Sequence, residues 1–277
     1  MHLALVQLDI TWEDKPANHT RIEAMLDEGQ VPRGSYVVLP ELGDTGFSFA
    51  LDRIVDDRSV AWATGVCRRL GVWMQVGHAV WGPGGRGRNR ATIVDPSGRV
   101  AGHYEKVHPF SYGREVEHFT GGDSLLRVDA GAAIVCPLIC YDLRFPELFR
   151  LAVAGVRPNG PAAEVFTLGA SWPDARQTHW RALAIARAIE NQAYVAAVNR
   201  IGRDPHLAYA GGSIVVDPAG DVIAEAGDEA TVLHADLDLS TLRAWRRSFP
   251  ALADIRPDLL GRIPTHDTPP ASAPPSP

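Results

Sequence analysis

Three side chains in the sequence have types and positions suited to one reaction. Cys140 stands where the apolar run AAIVCPLIC ends and the charged and aromatic segment YDLRFPELFR begins. Glu41 directly follows the apolar run SYVVLP, and Lys106 closes the segment GHYEK. A thiol can act as a nucleophile when a base and an electrophilic stabiliser lie beside it, and a carboxylate and an ammonium group fit these roles. The three residues together predict acyl transfer through a cysteine.

Each residue taken singly has a simpler interpretation. Cys140 could be an inert buried cysteine, as most free cysteines are, and Glu41 or Lys106 could be a surface charge. Cys136 and Cys140 could form half of a metal site, but no second cysteine pair or His-x-x-x-His partner follows. A papain-like Cys–His pair is disfavoured because no cathepsin-like signature surrounds Cys140. The joint occurrence of the three residues favours catalysis.

The elements that must position these residues alternate between strands and helices. Apolar runs predict strands within 3–10, 35–41, 72–81, 91–106, 132–140, 164–170, 194–201 and 211–226. Helical patterns cover 16–28, 59–70, 146–154 and 176–190. Several strands are apolar without alternation, which predicts sheets covered on their faces by helices. Groups at the ends of such strands reach a crevice while the strand holds them, so we expect the three residues to meet there.

Two segments of the chain resemble each other. ATIVDPSGRVAG and GSIVVDPAGDVIAE share a strand, an Asp-Pro-x-Gly turn and a returning strand. They could be two ordinary hairpins, or they could mark pseudo-symmetric halves with two packed sheets. Residues 1–262 are predicted to form a single domain, and the proline- and serine-rich residues 263–277 a disordered tail.

Composition excludes several classes of partner. The chain has 277 residues, 45% of them hydrophobic, with a formal net charge of −6. No lysine- or arginine-rich run is present, which argues against nucleic acid or an anionic membrane as partner. The N-terminus does not have the pattern of a signal peptide, and no apolar run is long enough to span a membrane. Three cysteines fit a reducing compartment, which predicts a cytoplasmic protein.

The three motifs together resemble a known family. Glu in LPE, Lys in YEKxH and Cys in ICYDLRFPEL, in that order, are similar to the motifs of the nitrilase superfamily of carbon–nitrogen hydrolases. The resemblance runs from about residue 3 to residue 239 and includes WPDARQTHWRALAIARAIENQAYVAAVNRIG. It implies an α/β fold, a four-layer αββα sandwich of the nitrilase type, which agrees with the paired hairpins.

The resemblance also implies a role for each residue. Glu41 would be the general base that takes the thiol proton, and Cys140 the nucleophile. Lys106 and the backbone N–H of Tyr141 would stabilise the tetrahedral oxyanion. No metal or organic cofactor is implied.

The family has a second glutamate shortly before a Gly-Asp pair. Counting back from Gly122 and Asp123, Glu115 matches that place better than Glu117. The resemblance implies that Glu115 positions Lys106 and the attacking water.

Within the superfamily, KVHPFSYGREVEHFTGG followed by ICYDLRFPELFR is most similar to the ω-amidase branch. That branch hydrolyses the terminal amides of 2-oxoglutaramate and 2-oxosuccinamate. Because such substrates carry a carboxylate, Arg144 and Arg176 are candidates to bind it, and Trp172 and Phe110 to line the pocket. The alternatives are structural ion pairs for the arginines and core positions for the aromatic residues.

Other outcomes remain open. An N-carbamoyl amino acid hydrolase, an aliphatic amidase or a nitrilase would use the same four catalytic residues, and an inactive scaffold could keep the fold. The segment 156–161 is longer than the usual link at this place and predicts a loop extension. A small-molecule amide is the expected partner, and the resemblance implies a homodimer.

Overall fold

Strands and helices alternate through residues 1–154, 162–256, 258 and 265–267, which the computed structural model describes. The strands are β1 (His2–Gln7), β2 (Tyr36–Val38), β3 (Trp73–Trp81), β4 (Gly87–Val94), β5 (Val100–Glu105), β6 (Leu125–Asp129), β7 (Ile134–Ile139), β8 (Val165–Ala170), β9 (Tyr194–Asn199), β10 (Ile201–Arg203), β11 (Ala208–Ala210), β12 (Ile214–Val216), β13 (Val222–Glu225), β14 (Thr231–Asp236) and β15 (Thr265–Asp267). The α-helices are α1 (Lys15–Glu28), α2 (Leu51–Ile54), α3 (Arg58–Leu70), α4 (Glu115–His118), α5 (Pro146–Val153), α6 (Gln177–Asn191) and α7 (Leu239–Ser248).

Two large sheets repeat the same arrangement of strands. Their orders are β14-β1-β2-β3-β4-β5 and β13-β12-β9-β8-β7-β6-β15. In the first sheet β1, β2 and β3 are parallel and β4 and β5 follow antiparallel. In the second, β7, β8 and β9 are parallel and β12 and β13 follow antiparallel. The two Asp-Pro-x-Gly hairpins therefore hold equivalent places, and the interpretation as pseudo-symmetric halves is confirmed.

Helices cover the outer face of each sheet. Ile22 of α1 and Val66 of α3 belong to an apolar cluster with Met74 of β3. On the second sheet, Phe149 of α5 packs against Phe166 of β8, with ring centroids 4.7 Å apart. The inner faces of the sheets contribute to one large buried cluster. The predicted four-layer αββα sandwich is confirmed.

The predicted helices match those observed to within one residue at each end, because their boundaries carry local signals. Asp14 caps α1 by accepting a hydrogen bond from the backbone N–H of Ala17 at 3.1 Å. Gly71 ends α3 in the left-handed conformation, at φ 67°. Pro146 is the first residue of α5, where its missing N–H costs nothing.

The two sheets approach closely near the end of β8. Thr167 Oγ1 donates a hydrogen bond to Gln75 Oε1 at 2.6 Å, which joins the sheets across the core. A Cβ atom on Gly169 would lie 2.5 Å from the carbonyl oxygen of Leu39. Only glycine allows this approach. The segment after β2 is thereby held against the end of β8, where Glu41 and Ser171 follow.

Part of the tail is ordered. Thr265–Asp267 forms β15, which pairs in parallel with residues 125–127 of β6. The prediction of disorder is wrong for these three residues, because an edge strand offers backbone hydrogen-bonding groups that any main chain can pair with, whatever its side chains. The rest of the tail from 268 onward and the loop extension at 156–161 lie outside the described residues, and the bounds of the single domain stay a prediction.

No helix in the described ranges has the length and the apolar character needed to cross a membrane.

Candidate active site

Glu41, Lys106 and Cys140 meet at the ends of three strands. Glu41 follows β2, Lys106 follows β5 and Cys140 follows β7. Lys106 Nζ lies 2.6 Å from Glu41 Oε1, and the Cys140 thiol lies close enough to the Glu41 carboxylate for each group to shift the pKa of the other. All three are buried in the closed end of a cavity. The structure therefore brings together the three residues that the strand-end pattern predicts to meet.

Cys140 occupies a sharp turn between β7 and a short 3₁₀ segment. Its φ is +45°, a left-handed value that a non-glycine residue adopts only when its surroundings impose it. Strand β7 ends at Ile139, so the turn lifts the Cys140 thiol out of the sheet plane and toward the cavity. The backbone N–H of Tyr141 follows directly in the chain, beside the thiol.

The Asp142 side chain holds this turn through hydrogen bonds to both of its carboxylate oxygens. Its Oδ2 accepts hydrogen bonds from Tyr104 Oη at 2.7 Å and from the Ile139 N–H at 3.2 Å. Its Oδ1 accepts from the backbone N–H and from Nδ1 of His108, both at 3.1 Å. Tyr104 and His108 flank Lys106 in the chain. Asp142 therefore fixes the position of the thiol relative to the ammonium group.

Lys106 lies between two carboxylates. Its Nζ donates to Glu41 Oε1 at 2.6 Å and to Glu115 Oε2 at 2.8 Å. Asn89 Nδ2 joins the same carboxylates, at 2.8 Å from Glu41 Oε1 and 3.0 Å from Glu115 Oε1. A buried cation with two charged partners and a shared amide has one geometry only, so the ammonium group is held still.

The structure distinguishes the two candidate glutamates. Glu115 is fully buried and also accepts a hydrogen bond from the backbone N–H of Phe110 at 2.5 Å. Glu117 is exposed and pairs with Arg114 at 2.7 Å. Glu115 contacts Lys106 and Glu117 does not, in agreement with the spacing argument.

Burial and neighbouring charges shift the pKa values of the three groups. Burial raises the pKa of Glu41; Lys106 opposes the rise and Glu115 adds to it. Burial raises the pKa of the Cys140 thiol, and the negative charge of Glu41 raises it further. Burial would lower the pKa of Lys106, but the charges of Glu115 and Glu41 outweigh it and raise that pKa. These shifts favour a protonated thiol and a charged ammonium group, and they make the Glu41 carboxylate a stronger base than a free one.

Ser171, directly after β8, holds Glu41 in place through two hydrogen bonds. Its backbone N–H donates to Glu41 Oε2 at 3.1 Å and its hydroxyl donates to the Glu41 carbonyl oxygen at 3.2 Å. The next residue, Trp172, is clamped by Asn199, whose Oδ1 accepts from the Trp172 N–H at 2.8 Å. The cavity wall next to the thiol is therefore rigid.

The cavity has a volume of about 610 Å³. Every residue predicted for the site lines it except Glu115, which lies behind Lys106. Trp172 is 2% exposed, so it is both a wall of the cavity and part of the core.

Two guanidinium groups line the cavity on aromatic surfaces. The Cζ atom of Arg144 lies 4.7 Å from the ring centroid of Trp172. That of Arg176 lies 5.5 Å from the ring of Phe110 and 5.2 Å from that of Tyr112. Burial lowers the pKa of Arg144, and the positive charge of Arg176 lowers it further. Within the described residues neither arginine has a carboxylate partner, so the alternative of structural ion pairs is wrong.

Sequence reasoning missed three residues of the site. Ser171 stands directly after an apolar strand, the same signal that identified Glu41. Asp142 is a polar residue two positions after Cys140 and could have been noticed as a turn anchor. Asn89 gives no signal, because an asparagine among arginines resembles an exposed residue and only the fold buries it.

No group of three or more His, Cys, Asp or Glu side chains within the described part of the chain is arranged to hold a metal ion.

Comparison with known proteins identifies relatives over nearly the whole chain. Residues 2–247 match the carbon–nitrogen hydrolase family. The chain is 36% identical over 258 residues to omega-amidase YafV of Escherichia coli (strain K12), covering 92% of this chain and 96% of that one. It is 34% identical over 261 residues to 2-oxoglutaramate amidase of Bacillus subtilis (strain 168), covering 93% and 98%.

A solved structure is similar in fold. XC1258 from Xanthomonas campestris is described as a CN-hydrolase superfamily protein with an arsenic adduct in the active site. It superposes with a TM-score of 0.86 at 33% sequence identity, covering 92% of this chain and 97% of that one.

Proposed function

Because the chain belongs to the carbon–nitrogen hydrolase family, we propose that it hydrolyses the terminal amides of 2-oxo dicarboxylic acids, 2-oxoglutaramate and 2-oxosuccinamate, to the acid and ammonia. The observation that carries the proposal is a pair of guanidinium groups, Arg144 and Arg176, in the same cavity as the thiol of Cys140. Neither has a carboxylate partner among the residues that the structure describes. The names of the two bacterial relatives support it.

Acylation begins with the thiol. Glu41 takes the proton of Cys140 as the sulfur attacks the amide carbon, which gives a tetrahedral adduct with a negative oxygen. Lys106 and the Tyr141 N–H stabilise that oxygen. The C–N bond then breaks as the protonated Glu41 returns its proton to nitrogen. Ammonia leaves and the acyl group remains on sulfur as a thioester.

Deacylation uses the same groups on water. Glu41, again a carboxylate, takes a proton from water as the water oxygen attacks the thioester carbon. Lys106 and the Tyr141 N–H stabilise the second oxyanion. The C–S bond breaks, the acid is released and Cys140 recovers the proton from Glu41. Glu115 acts through Lys106, which it holds at 2.8 Å, and it helps to place the water.

Charge favours a 2-oxo acid over a 2-amino acid. Arg144 and Arg176 repel each other, and a substrate carboxylate relieves that repulsion. The ammonium group of glutamine would add a third positive charge beside them, whereas the 2-oxo group of 2-oxoglutaramate adds a hydrogen-bond acceptor. We therefore expect glutamine to be a poor substrate.

The test of this function is ammonia release from a panel of amides. It contains 2-oxoglutaramate, 2-oxosuccinamate, glutamine, an N-carbamoyl amino acid, pentanamide and pentanenitrile. We expect the two oxo-acid amides to be turned over with the highest kcat/KM. In the Arg144→Ala variant we expect KM for them to rise roughly 10- to 100-fold, the effect of losing hydrogen bonds to a charged group.

Other results of the panel would contradict the proposal. Preference for the carbamoyl compound, the nitrile or pentanamide would agree with the carbon–nitrogen hydrolase family but would contradict the proposed 2-oxo acid amide substrates. No turnover of any compound would favour the inactive scaffold, although such a protein has no use for a buried Glu41–Lys106–Cys140 set.

Replacing Lys106 with alanine is expected to lower kcat by about 10²- to 10³-fold with a smaller change in KM. The reason is that the cation stabilises an oxygen that is negative only in the tetrahedral adduct. Steady-state kinetics on 2-oxoglutaramate measure both constants. An equal loss through KM would mean that Lys106 only holds the substrate.

The Lys106 variant needs a stability control. Without the ammonium group, Glu41 and Glu115 lose their shared buried partner, and such a loss costs about 3–5 kcal/mol. Thermal unfolding should therefore be followed, and the kinetics measured well below the midpoint.

Location and assembly remain predictions. The reaction needs Cys140 as a free thiol, and the described cysteines are all free. This requirement favours a reducing compartment, and we propose the cytoplasm. The homodimer stays an expectation from the family resemblance.

A further inference from the structure

The Arg144 guanidinium is hydrogen-bonded to a histidine. Its Nη1 and Nη2 lie 3.4 and 3.3 Å from Nδ1 of His179, the third residue of α6. Arginine has only donors, so the Nδ1 atom must accept. In this contact Nδ1 of His179 is therefore the acceptor.

We infer that His179 is a positioning residue, an inference that rests on the function proposed above: it holds the Arg144 guanidinium in the orientation that binds the carboxylate of the substrate. Aromatic rings and the imidazole define that orientation, and the ring of Tyr141 lies 5.9 Å from Cζ. The ring of Trp172, 4.7 Å from Cζ, fixes the plane of the guanidinium. The imidazole fixes its rotation within that plane. A guanidinium has more N–H donors than these contacts use, so donors remain for the substrate.

Arg144 needs such a support because its neighbourhood works against it. Arg176 carries a like charge nearby, and burial further disfavours the charged guanidinium. A long, unpaired arginine side chain also has many rotamers, and fixing them on binding weakens affinity. A side chain fixed before the substrate arrives avoids that cost.

A neutral acceptor suits this role better than an acidic one. An aspartate or glutamate at the place of His179 would orient the guanidinium, but it would also neutralise its charge and compete with the substrate carboxylate. Neutral imidazole leaves the whole positive charge for the ligand. The pairing of Arg144 with His179, and with no carboxylate of the described residues, is therefore a feature that favours an anionic substrate.

The test compares two amides of equal chain length, glutaramate, which carries a carboxylate, and pentanamide, which does not. For His179→Ala we expect the ratio of their kcat/KM values to fall about tenfold relative to the wild type, through KM for glutaramate, as for one lost hydrogen bond to a charged group. For His179→Asn we expect most of the ratio to be kept, because Asn Oδ1 can stand where Nδ1 stood. Arg181→Ala is the matched control, because Arg181 lies on the same helix as His179 and makes an exposed ion pair with Glu225 of β13; it should leave the ratio unchanged.

A binding measurement gives a readout without turnover. In the Cys140→Ala background, calorimetric titration with the product 2-oxoglutarate should give a Kd that rises about tenfold when His179→Ala is added. The same Kd in both proteins would overturn the inference.

The outcomes separate this inference from the proposed function. A wild type that does not prefer glutaramate over pentanamide refutes the proposed substrate class, and the inference with it. A wild type with that preference and a His179→Ala variant that keeps it refute only the inference. A His179→Asn variant that fails like His179→Ala overturns the hydrogen bond as its basis.

Discussion

Cys140→Ala is expected to abolish ammonia release, by roughly 10⁴-fold or more, with the fold unchanged. In the proposed mechanism the sulfur forms the covalent intermediate, and a methyl group cannot replace it. The fold should persist because Cys140 supplies none of the hydrogen bonds that join Glu41, Lys106 and Glu115. Turnover of 2-oxoglutaramate and a thermal unfolding curve measure the two parts of the expectation.

A second cysteine variant is the matched control. Cys67 is also free and buried, but it lies in α3 on the outer side of the first sheet, away from the cavity. Cys67→Ala should keep its activity. If Cys140→Ala kept a substantial part of the activity, or Cys67→Ala lost as much, the covalent mechanism would be wrong.

Glu41→Gln is expected to lower kcat/KM by about 10³- to 10⁴-fold, because in the proposed mechanism the glutamate transfers a proton in both half-reactions. Glutamine has the same shape and can still accept from Lys106, but it cannot take up the thiol proton. The active form of Glu41 is the carboxylate and its pKa is raised. Activity of the wild type should therefore fall as the pH drops through a value above the usual range of a glutamate.

The pH profile separates a base from a structural glutamate. The residual activity of Glu41→Gln should lack the acid limb of the wild type. Glu117→Gln is the control, because Glu117 is exposed and paired with Arg114, and it should stay within about twofold of the wild type. An acid limb that persists in Glu41→Gln would assign it to another group.

The sequence allowed the meeting of Glu41, Lys106 and Cys140 to be predicted because its signals are local. Each of the three follows a predicted strand, and each therefore lies at the end of a strand. Glu115 was found by spacing from a Gly-Asp pair. These four residues needed only the pattern of the chain and the family resemblance.

The partners of the supporting residues could not be predicted because they come from distant segments of the chain. Asn89 and Glu41 are 48 residues apart and meet only because β3 and β4 pair. Asp142 receives hydrogen bonds from a neighbouring strand and its loop. His179 could be placed on a helix, but nothing in the sequence pairs it with Arg144.

Elements of mixed composition were missed for a similar reason. LLRVD of β6 contains a charged residue in its middle, and LSTLRAWRRS of α7 is mostly polar. Thr265–Asp267 has no apolar residue and forms a strand only because β6 offers an edge. Hydrophobic periodicity predicts buried elements well. Strands that form through backbone pairing alone need no apolar pattern and are therefore missed.

The central claim is a thioester on Cys140, and trapping it is the most direct test. Wild-type protein would be mixed with 2-oxoglutaramate, quenched with acid within the first turnover and digested for mass spectrometry. We expect one 2-oxoglutaryl group on the Cys140 peptide, formed together with a burst of ammonia and absent from Cys140→Ala. Release of ammonia in the first turnover without any acyl group on that peptide would contradict it.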